Sequence, residues 1–211
     1  MVDFSSISQN LIDGRSQVVK QLVSEAIAEG VAPQTILNEA LIVGMNEVGR
    51  RFKANEFYVP EVLLAARSMH AAMAVLKPLL AEAKVQPKGV VALATVKGDL
   101  HDIGKNLVGM MLEGSGFQVV DLGVDCVPEK FVSAVKESKP DLIAMSALLT
   151  TTMTNMKSTI QTLKEAGLRD KVKVMVGGAP LTQRYADEIG ADGYAPDAAS
   201  AAELAIRLIA P

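Results

Sequence analysis

The hydrophobic positions of this chain change their period once, near Lys84-Val85-Gln86-Pro87-Lys88-Gly89. Ahead of that segment they recur at the three- and four-residue spacing of amphipathic helices. Ile7, Leu11 and Ile12 predict a short first helix. Val18, Val19, Leu22, Val23 and Ile27 predict a second, stopped by Gly30. Pro33 opens a third, with Ile36, Leu37, Leu41, Met45, Val48 and Phe52 along one face. Pro60 stands at the start of a fourth, from Val59 to Ala83. Short connections between them predict a four-helix bundle over residues 1–87.

Beyond Gly89 the pattern switches to short apolar runs. Val90-Val91-Ala92-Leu93-Ala94-Thr95 reads as a strand buried on both faces. A helix over 104–115 follows, then strand 118–122, helix 128–138, strand 141–145 and helix 152–166. Strand 172–176, helix 182–189, a short strand at Gly193-Tyr194 and helix 198–209 complete the alternation. Such alternation predicts a five-stranded parallel sheet covered on both sides, and right-handed crossovers order it as in flavodoxin. The expected fold class is therefore α/β, with an N-terminal four-helix bundle followed by a flavodoxin-like, Rossmann-type domain over 88–211.

Composition narrows the functional classes. The hydrophobic share of 49% supplies a sizeable core. A formal net charge of −3 without a Lys/Arg block argues against nucleic acid as a partner. Cys126 stands alone, which excludes an internal disulfide and fits a reducing compartment. The opening Met1-Val2-Asp3-Phe4-Ser5 does not read as a signal peptide. The most apolar stretch, Val59 to Leu80, is interrupted by Glu61, Arg67, His70 and Lys77, as in a buried helix rather than a membrane span. The expectation is a cytoplasmic protein with no membrane partner.

Candidate chemistry gathers at the carboxyl ends of the strands, where open α/β sheets bind ligands. Gly98-Asp99-Leu100-His101-Asp102-Ile103-Gly104 follows the first strand and contains one of the chain's 2 histidines. Ser146 to Thr152 follows the third strand with a cluster of hydroxyls, and Gly177-Gly178-Ala179-Pro180 follows the fourth. An imidazole beside a carboxylate, approached by bare backbone, suits metal binding. Each part also has a plainer reading. The hydroxyls serve equally as helix caps, the paired glycines as a tight turn, and Asp102 and Lys105 as solvated helix-start residues.

Taken together, Asp99-x-His101-x-x-Gly104, Ser146-x-Leu148 and Gly177-Gly178 resemble the signature of cobalamin-binding corrinoid proteins. The bundle segment Gly44-Met45, Val48-Gly49, Phe52 and Phe57-Tyr58-Val59-Pro60-Glu61 resembles their helical cap, so the resemblance covers nearly the whole chain. It is closest to the corrinoid subunits of methanol, methylamine and methoxyarene methyltransferase systems. It implies a methyl carrier, a methyltransferase component that is not by itself an established enzyme, with O-demethylation among the possible settings. The implied cofactor is a cobamide, passing through cob(I)alamin, cob(II)alamin and methylcobalamin. His101 would be the cobalt ligand in a base-off/His-on arrangement, with Asp99 and Thr152 as its hydrogen-bonded relay. Asp102, Ile103 and Gly104 would approach the corrin. Ser146, Leu148, Thr150, Gly177, Gly178 and Tyr194 would line the slot for the nucleotide tail, and Met45, Val48 and Leu63 would cover the upper face, although packing in the bundle core is the plainer reading of each of these three. Implied partners are a donor-specific methyltransferase, an acceptor methyltransferase using tetrahydrofolate or coenzyme M, and a reductive activating protein. The alternatives are an adenosylcobalamin-binding sensor, disfavoured by the absence of Trp, and a mutase subunit, which usually lacks the bundle. Outside corrinoids, a flavodoxin-like or response-regulator domain would leave His101 without a role.

Overall fold

The computed structural model describes residues 2–83 and 85–210, and the chain divides into two compact units, Met1–Gln86 and Pro87–Pro211.

The first unit is helical. Asp3 caps α1 (Phe4–Ile12) by accepting the amides of Ser5 and Ser6. α2 (Ser16–Ala28) packs mainly on α5 (Val59–Glu82). α5 begins with Pro60 in its first turn and with Glu61 accepting the Tyr58 amide at 2.9 Å. Its buried stripe of Val62, Ala65, Ala66, Met69, Ala72, Leu76 and Leu80 is that of a bundle helix, although its length and apolarity would also suit a membrane span.

The third helix differs from its expected continuous form. α3 (Pro33–Ile36) passes through a π-helical turn (Leu37–Leu41) into α4 (Ile42–Lys53). A π turn widens the helix and frees a carbonyl. Here Ser8 Oγ donates to Ala40 O at 2.8 Å from the facing α1. Gly44 admits that helix, since a Cβ there would lie 3.1 Å from Leu11 and 3.2 Å from Ser8 O. The distortion is thus a product of close helix packing, which periodicity alone does not register.

The second unit is an all-parallel five-stranded sheet in the order β2-β1-β3-β4-β5, the flavodoxin-like arrangement. Its strands are β1 (Val90–Val96), β2 (Gln118–Cys126), β3 (Leu142–Ser146), β4 (Lys173–Gly177) and β5 (Gly193–Ala195). Alternate residues face opposite layers. Ala94, Val96, Ile143, Met145, Val174 and Val176 pack in one core cluster with residues of α7 (Pro128–Ser138), α8 (Thr150–Glu165) and α9 (Gln183–Ile189). The opposite face is covered by α6 (Ile103–Gly114) and α10 (Ala198–Ile209), which contact each other closely. Covering both faces is why the strand sequences are continuously apolar.

β2 runs four residues past its expected end at Leu122. Gly123 and Asp125 read as strand breakers, yet both have positive φ and are absorbed as irregularities in the β1–β2 pairing, which steps from Leu93↔Asp121 to Ala94↔Gly123 and then Val96↔Cys126. Lys105 is also displaced from expectation. It is buried and paired with Asp121 of β2, because the first turn of α6 lies over that strand.

One glycine is demanded by the fold itself. Gly178 has φ +135°, and a Cβ there would lie 1.8 Å from Ala147 O. Gly178→Ala is expected to lower stability by about 3 kcal/mol or more, seen as a large drop in thermal midpoint by circular dichroism.

Candidate functional site

The carboxyl ends of β1, β2 and β3 converge on a loop that carries Asp99 and His101. Asp99 is fully buried, at 0% exposure, and every one of its contacts is a donor. Oδ1 accepts the His101 amide at 3.1 Å and His101 Nδ1 at 2.7 Å. Oδ2 accepts the Leu148 amide at 2.8 Å and Thr152 Oγ1 at 2.6 Å. Burial by itself raises the pKa of this carboxyl. The hydrogen bonds from Thr152, Leu148 and His101 outweigh it and hold the group well below the usual carboxylate range.

An ionised carboxylate only accepts hydrogen bonds, so Nδ1 of His101 is the donor to Asp99, and in the neutral imidazole the lone pair then lies on Nε2. Nε2 has no hydrogen-bond partner among the described residues, and the His101 side chain is 52% exposed. The imidazole is therefore oriented from behind and open in front. Its surroundings are unusual for a solvated surface. Leu100 and Ile103, beside it in sequence, are 72% and 74% exposed, and Leu148 and Leu149 from the β3–α8 turn are exposed as well. Four large apolar side chains are thus exposed on the two turns that Asp99 ties together, a surface suited to a flat, largely apolar ligand that binds the ring nitrogen.

The loop is pinned elsewhere too. Asp99 N bonds Val96 O at 3.1 Å, closing a turn with Gly98 (φ +79°) at its third position, the type II pattern that calls for glycine. The buried Thr95 donates to His101 O at 2.9 Å, and Asn155 of α8 donates to Lys97 O at 2.9 Å. Thr95 interrupts an otherwise apolar strand, a signal that was legible in the sequence. Leu100, Leu149 and Asn155 carried none.

Other expected residues fall into place differently. Asp102 is exposed at the N-terminal boundary of α6, and Ile103 is the first residue of that helix. Gly104 has no atom within 4 Å of a would-be Cβ among the described residues, so nothing in the protein itself requires glycine there. Ser146 lies in register with Thr95 on one side and Gly177 on the other, and Gly177 pairs with Ala195. In-register partners of a parallel sheet share a face. Thr95, Ser146, Gly177 and Ala195 thus form a row of small residues across the carboxyl edge, on the α6/α10 side. Leu148 contributes its backbone amide, and Thr150 is exposed at the start of α8. The hydroxyls do not cap α8, whose boundary residue is Leu149; Thr152 points to Asp99 instead.

One expectation needs correction. Tyr194 pairs with Val176 and packs against the α7–α9 cluster, so it lies on the sheet face opposite Ser146 and Gly177. Met45 and Val48 are fully buried side chains of α4, which packs on α1 and α5; they fill the bundle interior rather than present a surface. Leu63 is exposed. Cys126 is buried, donates to Leu122 O at 3.1 Å and has its thiol pushed up by burial, all of which make it unreactive.

The ionised Asp99 adds stability above the unfolded carboxyl pKa of about 3.9, and that contribution is lost as pH falls through its lower folded value. Asp99→Asn is expected to cost on the order of 3 kcal/mol near neutral pH. The gap from wild type should narrow below about pH 4, read from urea denaturation at several pH values.

The chain is similar to known proteins over nearly its whole length. Residues 89–203 match the B12 binding domain family, and residues 4–77 match a second family of the same description. The chain is 46% identical over 205 residues to the dimethylamine corrinoid protein of Methanosarcina barkeri, covering 97% of this chain and 96% of that one. The crystal structure of a cobalamin-binding protein from Desulfitobacterium hafniense superposes with a TM-score of 0.83 at 33% identity, covering 100% of both chains. A chain of the methanol:cobalamin methyltransferase complex of Methanosarcina barkeri superposes with a TM-score of 0.86 at 32% identity, covering 96% of this chain and 78% of that one. The chain belongs to the B12-binding corrinoid proteins of methyltransferase systems, and its cofactor is a corrinoid.

Proposed function

We propose that this protein is a methyl carrier that holds its corrinoid base-off, with His101 Nε2 as the axial ligand of cobalt. The observation that carries the reading is the buried Asp99 carboxylate, which fixes the proton on His101 Nδ1 and leaves Nε2 free at an apolar, exposed surface. When bound, the corrinoid supplies the cobalt centre that accepts a methyl group and gives it up. The residues of the chain do the rest. Leu100, Ile103, Leu148 and Leu149 shield the ring's lower side from water. The open space over Gly104 leaves backbone free to approach it. The row Thr95, Ser146, Gly177 and Ala195 offers a shallow floor for a planar base, with Gly177 and Gly178 at its far wall and Thr150 at the rim. Thr152, Asp99 and His101 form a continuous hydrogen-bonded path that orients the imidazole.

In this reading the methyl donor is held by a separate methyltransferase, as the likeness to a chain of a methanol:cobalamin methyltransferase complex supports, and the acceptor by another. A reductive activating protein restores the cofactor after adventitious oxidation. The dimethylamine and methanol relatives support methylamines or methanol as donor classes alongside methoxyaromatics, with tetrahydrofolate or coenzyme M as the acceptor.

Two measurements test this. Absorbance of the cobamide-reconstituted protein should change on His101→Ala, and an unchanged spectrum removes His101 from the metal. Gly104→Ala should leave the apo protein's melting temperature undiminished while weakening cobamide binding about ten-fold or more in equilibrium titration. Unaltered affinity would show that backbone approach at Gly104 plays no part.

A further inference from the structure

We propose that Asp125 is a positioning residue for His101, acting from the end of β2 as a latch on the ligand loop. The proposal rests on the His101 ligation argued above and extends it to a residue outside the three sequence motifs.

Asp125 makes two reciprocal backbone links to the loop. Its carboxylate Oδ1 accepts the Gly98 amide at 2.6 Å, and its own amide donates to Asp99 O at 3.0 Å. The two links grip the chain on either side of the Gly98–Asp99 peptide. They therefore fix the direction in which the Asp99 side chain leaves the backbone. Asp99 Oδ1 in turn holds both the amide and Nδ1 of His101. The route from Asp125 to the imidazole is two hydrogen-bonded steps long, with no intervening flexible side chain except that of Asp99, which is itself held by Leu148 and Thr152.

The backbone at Asp125 is specialised for this. Its φ is +51°, in the left-handed region that side chains other than Asn and Asp rarely adopt. The stepped register between β1 and β2 swings this residue under the loop, because Val96 pairs with Cys126 rather than with the residue that unbroken pairing would give. A bulge that re-aims one residue toward a functional loop is a known use of such irregularities. The carboxylate is solvent-accessible and makes no salt bridge among the described residues, so electrostatic pairing offers no competing reason for an acid here. Two properties are thus required at this position, tolerance of positive φ and a side-chain acceptor. Asn has both, and Gly has only the first.

The test uses the full chain labelled with ¹⁵N-histidine and loaded with cob(II)alamin, in wild type, Asp125→Asn and Asp125→Gly. Electron paramagnetic resonance distinguishes the axial donors: a doublet from a ¹⁵N imidazole, a triplet from the cofactor's own ¹⁴N base, and no splitting from water. Wild type and Asp125→Asn are expected to give the doublet. Asp125→Gly keeps the backbone conformation, since glycine suits the positive φ, and should show the imidazole-ligated fraction falling against the unligated one by on the order of ten-fold, the factor lost with one charge-assisted hydrogen bond. In the apo protein, the His101 Nδ1–H signal in ¹H–¹⁵N NMR should exchange faster with water in Asp125→Gly than in Asp125→Asn. A wild-type doublet that persists undiminished in Asp125→Gly, with an unaltered Nδ1–H signal, overturns the role of Asp125 alone. A wild type without the doublet overturns the ligation of His101, and the latch falls with it.

Discussion

A single buried carboxylate organises the functional end of this molecule. Asp99 has no access to solvent, and burying a charge is costly unless donors replace the lost water. Four donors do so, two from the loop that follows β1 and two from the segment that follows β3. The requirement is mutual. The Leu148 amide and Thr152 help hold Asp99 ionised, and the ionised Asp99 in turn orients His101 through Nδ1. The geometry of parallel strands brings these donors together from positions about fifty residues apart in the chain.

The remainder of the sheet domain can be understood as support for that arrangement. β1 and β3 are neighbours, so their carboxyl ends lie side by side and the loop after one is met by the turn after the other. Gly178 permits the β4 exit to pass against Ala147, which keeps the β3–α8 turn close to the sheet. Thr95 and Asn155 fasten the loop's carbonyls. The result is an imidazole whose orientation is set by the protein's own hydrogen bonds. The helical unit follows different rules. Its internal side chains, Met45 and Val48 included, serve packing, and its distortion at Leu37–Leu41 follows from how closely α1 approaches at Gly44.

The architecture was legible because both periods in the chain are strong. Helical spacing over the first part and buried apolar runs over the second leave few alternatives, and β1, with every position from Val91 to Val96 buried, is the clearest case. The pairing of Asp99 with His101 was also legible, since the two are adjacent but one and a carboxylate that close to an imidazole tends to bond it. Other features were hidden. Tyr194 sits after a short strand, and which face it takes depends on the register of β5 against β4, a matter of a single residue. Lys105 reads as a solvated helix-start residue until the neighbouring strand supplies Asp121.

By itself the sequence determined the two-part organisation, the parallel α/β class, the cluster of chemistry at the strand ends and the imidazole that faces outward. These follow from local periodicity and from motifs whose members lie within a few residues of one another. The tertiary structure alone decided that Lys105 is buried against Asp121, that Leu100 and Leu149 are exposed on the same two turns as Ile103 and Leu148, and that Asp125 reaches the ligand loop. Each of those depends on strand pairing, on a bulge or on the meeting of segments far apart in the chain. Hydrogen bonds and exposure at such places are set by three-dimensional register, and no one-dimensional pattern encodes it.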